Sequence, residues 1–310
     1  MTRAVAGAAA GGAEEAGPGD AERSEAWAAE RAGPFRGVSV RDALDSGLIP
    51  LRAAGVETAR LDAELLLAEA LGVDRAALVA HPEAELDGDA TRRFGSMVRR
   101  RAFDREPVAY ILGRRAFRHL ELVVDRRVFI PRPETETLVE AALDLAPQAR
   151  VVEIGTGSGA VALALKDERP DLEVVATEVD QAALAVAREN AERLRLDVRF
   201  VEADLLEGVD GPFDAVLSNP PYVGDAEARW LGPETSKHEP PRALFGGGAQ
   251  GLDLLRRLVP QAAAIAPFVA LEVGAGQAPF VVELMGEEGL ERIEAVRDLA
   301  GIERVVVGRR

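Results

Sequence analysis

From residue 131 to the C-terminus, short runs rich in Val and Leu alternate with longer stretches of helical period, and that alternation admits few architectures. Helices are predicted at about 134–146, 158–168, 180–194, 251–264 and 276–288. Strands are predicted at 150–154, 173–177, 198–202, 213–218, 269–273, 291–296 and 303–307. Strand, helix and strand in succession build a crossover between parallel neighbours, so the pattern argues for a parallel sheet covered on both faces. No internal repeat is visible.

Upstream the text changes character twice. Across 38–103 the period is helical, and within 57–71 Leu61, Leu65, Ala68 and Leu71 recur at helix spacing. Gly72 stops that helix and Asp74 can cap the next. Pro82, Asp87 and Gly88 mark another turn, after which 90–103 reads as a further helix. A small helical domain over 38–105 is expected. In 106–130, Tyr110-Ile-Leu, Phe117, Leu120-Glu-Leu-Val-Val and Val128-Phe-Ile suggest short strands around Gly113 and Asp125. They predict a β-hairpin linker leading into the main domain, 131–310. Residues 1–37 hold twelve Ala and seven Gly, broken by Pro18 and Pro34, with almost no apolar bulk to bury. Glycines and then Glu14-Glu15 interrupt any signal-peptide core. This segment reads as a disordered tail, or as a start placed upstream of the true one.

The 310-residue chain is 47% apolar and 29% charged, which permits an ordinary core and excludes global disorder. Without cysteine it has no disulfide scaffold, no thiolate metal site and no Cys nucleophile. His81, His119 and His238 are scattered, so no metal is expected. A formal charge of −16 disfavours a non-specific grip on phosphates, and stable nucleic-acid binding is not expected. No apolar run approaches the roughly 18 residues of a membrane span, so a soluble, cytoplasmic protein is expected. The charge is uneven, however: 92–132 carries twelve Arg against Asp104, Glu106, Glu121 and Asp125. That stretch reads either as a solvated helix face or as a docking surface steering an acidic partner.

Two motifs carry chemistry. Glu153-Ile-Gly155-Thr156-Gly157-Ser158-Gly159 follows a predicted strand and opens a helix, where glycines let backbone approach a ligand and free N–H groups face it. Glu178, about twenty residues on, ends the next strand, where an acid can hold vicinal ribose hydroxyls. A nicotinamide dehydrogenase and an S-adenosylmethionine (SAM) methyltransferase both fit this half. The second motif, Asn219-Pro220-Pro221-Tyr222, sits at the C-terminal end of the predicted strand 213–218. Two prolines fix φ and remove two donors, so carbonyls at the corner can serve as acceptors. Asn219 adds a side-chain acceptor and Tyr222 a flat π-face, equipment for gripping a planar –NH₂ group.

Together the motifs resemble the amino-group methyltransferases of the SAM-dependent Rossmann type, and from about residue 38 onward the chain resembles the PrmC/HemK family, the release factor glutamine N5-methyltransferases. The resemblance also runs through Glu106-Pro-Val-Ala-Tyr110-Ile-Leu-Gly113, Phe129-Ile-Pro131-Arg-Pro-Glu-Thr-Glu136, Glu239-Pro240 with Ala243-Leu244, and Asp298-x-x-Gly301-x-x-Arg304. It implies an α/β protein with a Rossmann-like, seven-stranded methyltransferase domain, preceded by a small helical domain and a β-hairpin linker. Gly155, Thr156, Gly157, Ser158 and Gly159 would surround the amino-acid end of SAM. Glu178 would hold the ribose, where the family usually has Asp. Asp204 would take the adenine amine and Leu205 pack on the ring. Asn219, Pro220, Pro221 and Tyr222 would bind the substrate glutamine, with Asn219, Pro220 and Tyr222 catalytic and Asn219 also beside the cofactor. The implied acceptor is the glutamine of the Gly-Gly-Gln tripeptide in peptide chain release factors. A ribosomal-protein glutamine, adenine N6 and guanine N2 are alternative acceptors. The 131–136 block is expected to close the cofactor side, Glu239-Pro240 to order the long loop after Tyr222, and His238 to be a surface loop residue.

Overall fold

Residues 37–310 are described by the computed structural model; residues 1–36, and with them the expected tail, lie outside the described residues. The chain divides between Asp104 and Arg105 into two units. In the first, α1 (Val40–Ala53) is capped by Ser39, whose side chain accepts from Asp42 N. The helix α2 (Ala59–Leu71) ends at Gly72 in the left-handed region, and α3 (Arg75–Ala80) is capped by Asp74. Asp87 caps α4 (Gly88–Arg99), which runs on as a π-helical turn, Arg100–Asp104. Two short strands, β1 (Val38–Ser39) and β2 (Glu85–Leu86), pair antiparallel. Of the four residues expected at helix spacing, Ala68 and Leu71 are buried, together with Ala59, Ala63, Leu66, Leu67 and Ala70, whereas Leu61 is 40% exposed. The helix is where its period predicted, with the buried face shifted in part: Asp62 also turns inward and accepts from Arg101 at 2.6 Å.

In the second unit, α5 (Val108–Leu112) leads into the hairpin β3 (Arg114–Phe117) and β4 (Leu120–Val123). Tyr110-Ile-Leu, expected as strand, is thus helical, and Val128-Phe-Ile forms no strand. The Tyr110 hydroxyl donates to the Val128 carbonyl at 2.5 Å and holds the two segments together. The chain continues through a 3₁₀ turn (Pro133–Thr135) into α6 (Glu136–Glu140), shorter than the helix expected at 134–146. Beyond it the bonds tighten to three-residue spacing, as in Ala142 N to Val139 O and Leu145 N to Ala142 O.

The remaining strands are β5 (Arg150–Ile154), β6 (Glu173–Glu178), β7 (Arg199–Glu202), β8 (Ala215–Ser218), β9 (Phe268–Glu272), β10 (Arg292–Arg297) and β11 (Glu303–Arg309). They form one seven-stranded sheet in the order β10-β11-β9-β8-β5-β6-β7. Strands β5 to β9 pair parallel, while β11 runs antiparallel to β9 and β10 antiparallel to β11. The crossovers are α7 (Ala160–Glu168), α8 (Gln181–Leu194), α9 (Pro233–His238) with α10 (Asp253–Ile265), and α11 (Ala278–Glu287).

Side chains of period two feed two separate cores, one on each face. Val151, Val174, Ala215, Leu217, Ala270 and Val305 point into the core shared with Phe117, Leu122, Leu138 and α7. Val152, Val175, Val216, Val269, Leu271 and Val306 point into the core shared with α10 and α11. The expected α/β class and seven-stranded sheet are therefore observed. The hairpin, expected as a linker, is part of the second unit's packing: Asn190 on α8 accepts from Val123 N and donates to Val123 O. Among the described residues no helix is long and apolar enough to cross a membrane, and no cluster of three His, Asp or Glu could hold a metal ion.

Candidate active site

Strand order reverses between β5 and β8, where open α/β sheets bind ligands outside their carboxyl ends. A cavity of about 640 Å³ opens there, a volume suited to a small molecule. Gly155, Thr156, Gly157, Ser158, Glu178, Asp204 and Leu205 line it, as do Asn219, Pro220, Pro221 and Tyr222. One cleft thus gathers residues that lie up to two crossovers apart in the chain.

The glycine loop is held from beneath by Glu153, 3% exposed. Its Oε2 accepts the Thr156 hydroxyl at 2.5 Å and the Ala162 N–H at 2.9 Å, coupling the loop to the first turn of α7. Burial pushes the Glu153 carboxyl up to about 7 against these two bonds. Gly155 and Gly157 have φ of 73° and 55°, and a Cβ on either would meet no atom within 4 Å. They offer bare backbone to open space. Gly159 departs from expectation: it is not in the cleft lining, and a Cβ there would sit 2.8 Å from Leu163 Cδ1. Its bareness serves the packing of α7 against Leu163 and Ala187.

Glu178 ends β6 and is 9% exposed. Its Oε2 accepts the Gly157 N–H at 2.9 Å, and Oε1 accepts those of Val179 and Asp180 at 2.9 and 3.0 Å. Oε2 keeps a further accepting position. Asp204 Oδ2 accepts from Arg257 at 2.8 Å, and Leu205 is buried in the left-handed region at φ 56°.

At the proline corner, Asn219 Nδ2 donates to Thr135 Oγ1 at 3.0 Å. Among the described residues no donor reaches Asn219 Oδ1 or the Pro220 carbonyl. Thr135 is 3% exposed and Glu272, the last residue of β9, is 2% exposed, with no hydrogen-bond partner at its Oε2 among the described residues. Burial pushes the Glu272 carboxyl up to about 7. The Tyr222 hydroxyl is pushed up to about 12, first by burial and then by the Glu272 charge. Gln277 Nε2 donates to the carbonyls of Tyr222 (2.9 Å) and Gln250 (2.8 Å), while its Oε1 accepts from Gly274 N at 2.9 Å. The loop 246–251 presses on the corner so closely that a Cβ at Gly251 would lie 2.0 Å from the Tyr222 carbonyl oxygen.

The long loop after Tyr222 is shaped by Glu239, which accepts from Ile130 N at 3.2 Å, from Thr235 Oγ1 at 3.1 Å and from the Arg132 guanidinium. This ties the 131–136 block to the loop. His238 beside it is 9% exposed, buried where a surface residue was expected. Thr135, Glu272 and Gln277 were not singled out as site residues in the sequence. The only trace of them is positional: Thr135 lies in the block at 131–136, and Glu272 closes an apolar strand at the sheet edge that binds ligands.

Residues 42–113 match the PrmC N-terminal domain and residues 133–238 the methyltransferase small domain. The release factor glutamine methyltransferase of Koribacter versatilis is 41% identical over 281 residues, 88% of this chain and 99% of that protein. That of Geobacter sulfurreducens is also 41% identical, over 87% of this chain and 96% of that protein. Among solved structures, the hMettl16 catalytic domain in complex with MAT2A 3'UTR hairpin 6 superposes with a TM-score of 0.51, over 71% of this chain and 81% of that one, at 14% identity. That likeness speaks to the fold alone. With about two fifths of positions identical along nearly the whole length of such relatives, the chain belongs to the release factor glutamine methyltransferase family.

Proposed function

We propose that the protein is a cytoplasmic enzyme that transfers a methyl group from SAM to the side-chain amide nitrogen, N5, of the glutamine in the Gly-Gly-Gln tripeptide of peptide chain release factors. One observation carries the reading of the site. The Asn219 Nδ2 is committed to Thr135, so Oδ1 and the Pro220 carbonyl are left as acceptors beside the glycine loop in one cleft. The residues present suit SAM. Bare backbone at Gly155 and Gly157 accommodates its amino-acid end, the remaining Oε2 position of Glu178 a ribose hydroxyl, and Leu205 with Asp204 the adenine.

SAM supplies an electrophilic methyl group on its sulfonium. Asn219 Oδ1 and the Pro220 carbonyl accept the two hydrogens of the glutamine amide. Those bonds localise electron density on a nitrogen otherwise conjugated with its carbonyl, and they stabilise the positive charge that nitrogen gains. This is electrostatic preorganisation with the sign opposite to an oxyanion hole. Tyr222 packs on the amide plane, and the rigid corner holds nitrogen at attack distance. The methylated amide cation loses its proton to water, so no general base is required.

Radiolabelled methyl transfer to purified release factor, ribosomal protein and DNA tests the acceptor; label carried chiefly by either of the latter two would replace it. Asn219→Ala is expected to lower kcat by about 10²–10³-fold, the loss typical of removing one preorganised partner, with SAM affinity little changed. Wild-type turnover by that variant would overturn the assignment of Asn219.

A further inference from the structure

The proline corner that grips the acceptor has a problem of anchorage. Pro220 and Pro221 carry no N–H, so this stretch is fastened to its neighbours through carbonyls and side chains, and the donors come from elsewhere in the chain. Gln277, the half-buried residue just before α11, supplies one. Its Nε2 donates to the Tyr222 carbonyl at 2.9 Å and to the Gln250 carbonyl at 2.8 Å, and its Oε1 accepts the Gly274 N–H at 2.9 Å. One side chain thereby joins the corner after β8, the loop 246–251 and the turn after β9.

That junction suits a carboxamide. Two carbonyls and one N–H converge on it, and an amide side chain offers two donor hydrogens and an acceptor in one plane. A carboxylate would set oxygen against both carbonyls. The bonds also hold Tyr222 between close neighbours. Its ring lies against the turn after β9, where a Cβ on Gly274 would come within 3.1 Å of Tyr222 Cδ2. From the loop side, a Cβ on Gly246 would lie 2.5 Å from the Pro221 carbonyl oxygen, and one on Gly251 still closer to that of Tyr222. Pro221, Tyr222 and Gly246 line the cleft, whereas Gln277 is outside its lining and reaches the site from behind.

We propose that Gln277 is a positioning residue for methyl transfer: by fastening the Tyr222 carbonyl to the loop 246–251 and to the turn after β9, it fixes the Tyr222 ring and the corner before it against the acceptor amide. The proposal rests on the reading of the corner as the amide-binding site.

The test is steady-state methylation of a release factor by the full chain, with SAM binding measured by calorimetry and Tyr222 followed by fluorine NMR of protein labelled with meta-fluorotyrosine. The chain has two tyrosines, so Tyr222→Phe assigns the spectrum, and Tyr110, bonded to the Val128 carbonyl, is the internal reference. Gln277→Glu keeps the length and the acceptor for Gly274 but loses both donors. Its kcat is expected to fall about 10- to 100-fold, the scale of a displacement of about 1 Å, while the dissociation constant for SAM stays put. The Tyr222 resonance should shift or broaden and that of Tyr110 should not. Gln277→Met fills similar space with none of the three bonds and should show the same losses; should Gln277→Glu not fold, it decides alone. Wild-type kcat, a loss confined to SAM affinity, or an unmoved Tyr222 resonance overturns the proposal. Asn219→Ala separates the two ideas. If it is inactive while Gln277→Glu turns over normally, only the role of Gln277 fails; if it is fully active, the reading beneath it fails.

Discussion

At the scale of single residues, the site depends on which oxygens are already spoken for. The Tyr222 carbonyl is taken by Gln277, whereas Asn219 Oδ1 and the Pro220 carbonyl have no protein donor among the described residues. Glu178 was expected for its ribose chemistry; its carboxylate gathers three backbone N–H groups, that of Gly157 in the glycine loop and those of Val179 and Asp180 in the turn after β6. Removing it therefore does two things. Glu178→Ala should weaken SAM binding and, by leaving those donors without their acceptor, lower stability by about 1–3 kcal/mol. Calorimetric titration and urea denaturation measure the two effects; a stability equal to wild type would show that the loop holds without it. Glu178→Asp, shorter by one methylene, should lose the reach to Gly157 first, with a smaller loss of both.

At the scale of elements, the arginine stretch divides between side chains that join elements and side chains that face solvent. Arg101 is buried on Asp62 and Arg93 donates to the Ala70 carbonyl within the first unit. In the second, Arg118 grips Glu168 in bidentate fashion, both bonds 2.7 Å, and reaches Glu140 at 2.9 Å; Arg105 meets Glu234 at 2.6 Å. These four side chains fasten elements to one another, whereas Arg92, Arg99, Arg126 and Arg127 are exposed, so the solvated-face reading holds for part of the stretch only. Arg118→Ala should cost about 1–3 kcal/mol, less than a fully buried pair because both partners keep some solvent access, and the denaturation midpoint measures it. Loops obey the same logic. Gly251 has φ 71° and no room for a Cβ beside Tyr222 O, so Gly251→Ala must move the loop off the corner. A loss of about 1–3 kcal/mol in stability is expected, together with a fall in kcat; intact turnover would show that the corner is rigid without the loop.

At the scale of the whole molecule, two buried acids set a pH dependence. Glu153 and Glu272 are both raised from 4.5 to about 7 by burial. Between those values the folded chain holds protons that the unfolded chain has released. Their contribution to stability is thus complete below about pH 4.5 and is lost as pH rises through about 7. Glu168 and Asp298 have the opposite sign, Glu168 through Arg118 and Asp298 chiefly through the Ile302 N–H, and their contribution is lost on acidification. Glu272→Gln is neutral throughout, so its stability relative to wild type should increase as pH rises through about 7, followed by denaturation at a series of pH values. A difference independent of pH would remove the burial argument.

The fold class was legible because it depends on period. Apolar runs such as Val151-Val152 and Val305-Val306-Val307 have no polar neighbour to hide, and only a sheet covered on both faces accepts them. The glycine loop and the proline corner were legible because backbone chemistry at Gly, Pro and Asn is local. What period cannot carry is which face, which partner and which rotamer. Three consecutive leucines, 65–67, left the buried face of α2 ambiguous until Arg101 claimed Asp62. Tyr110-Ile-Leu, strand-like by composition, is helical between Pro107 and the left-handed Gly113, and its Tyr110 hydroxyl reaches the distant Val128 carbonyl. The bond from Asn219 to Thr135 joins residues 84 positions apart in the chain. Only the tertiary packing that sets the 131–136 block against the end of β8 brings those two side chains within hydrogen-bond reach.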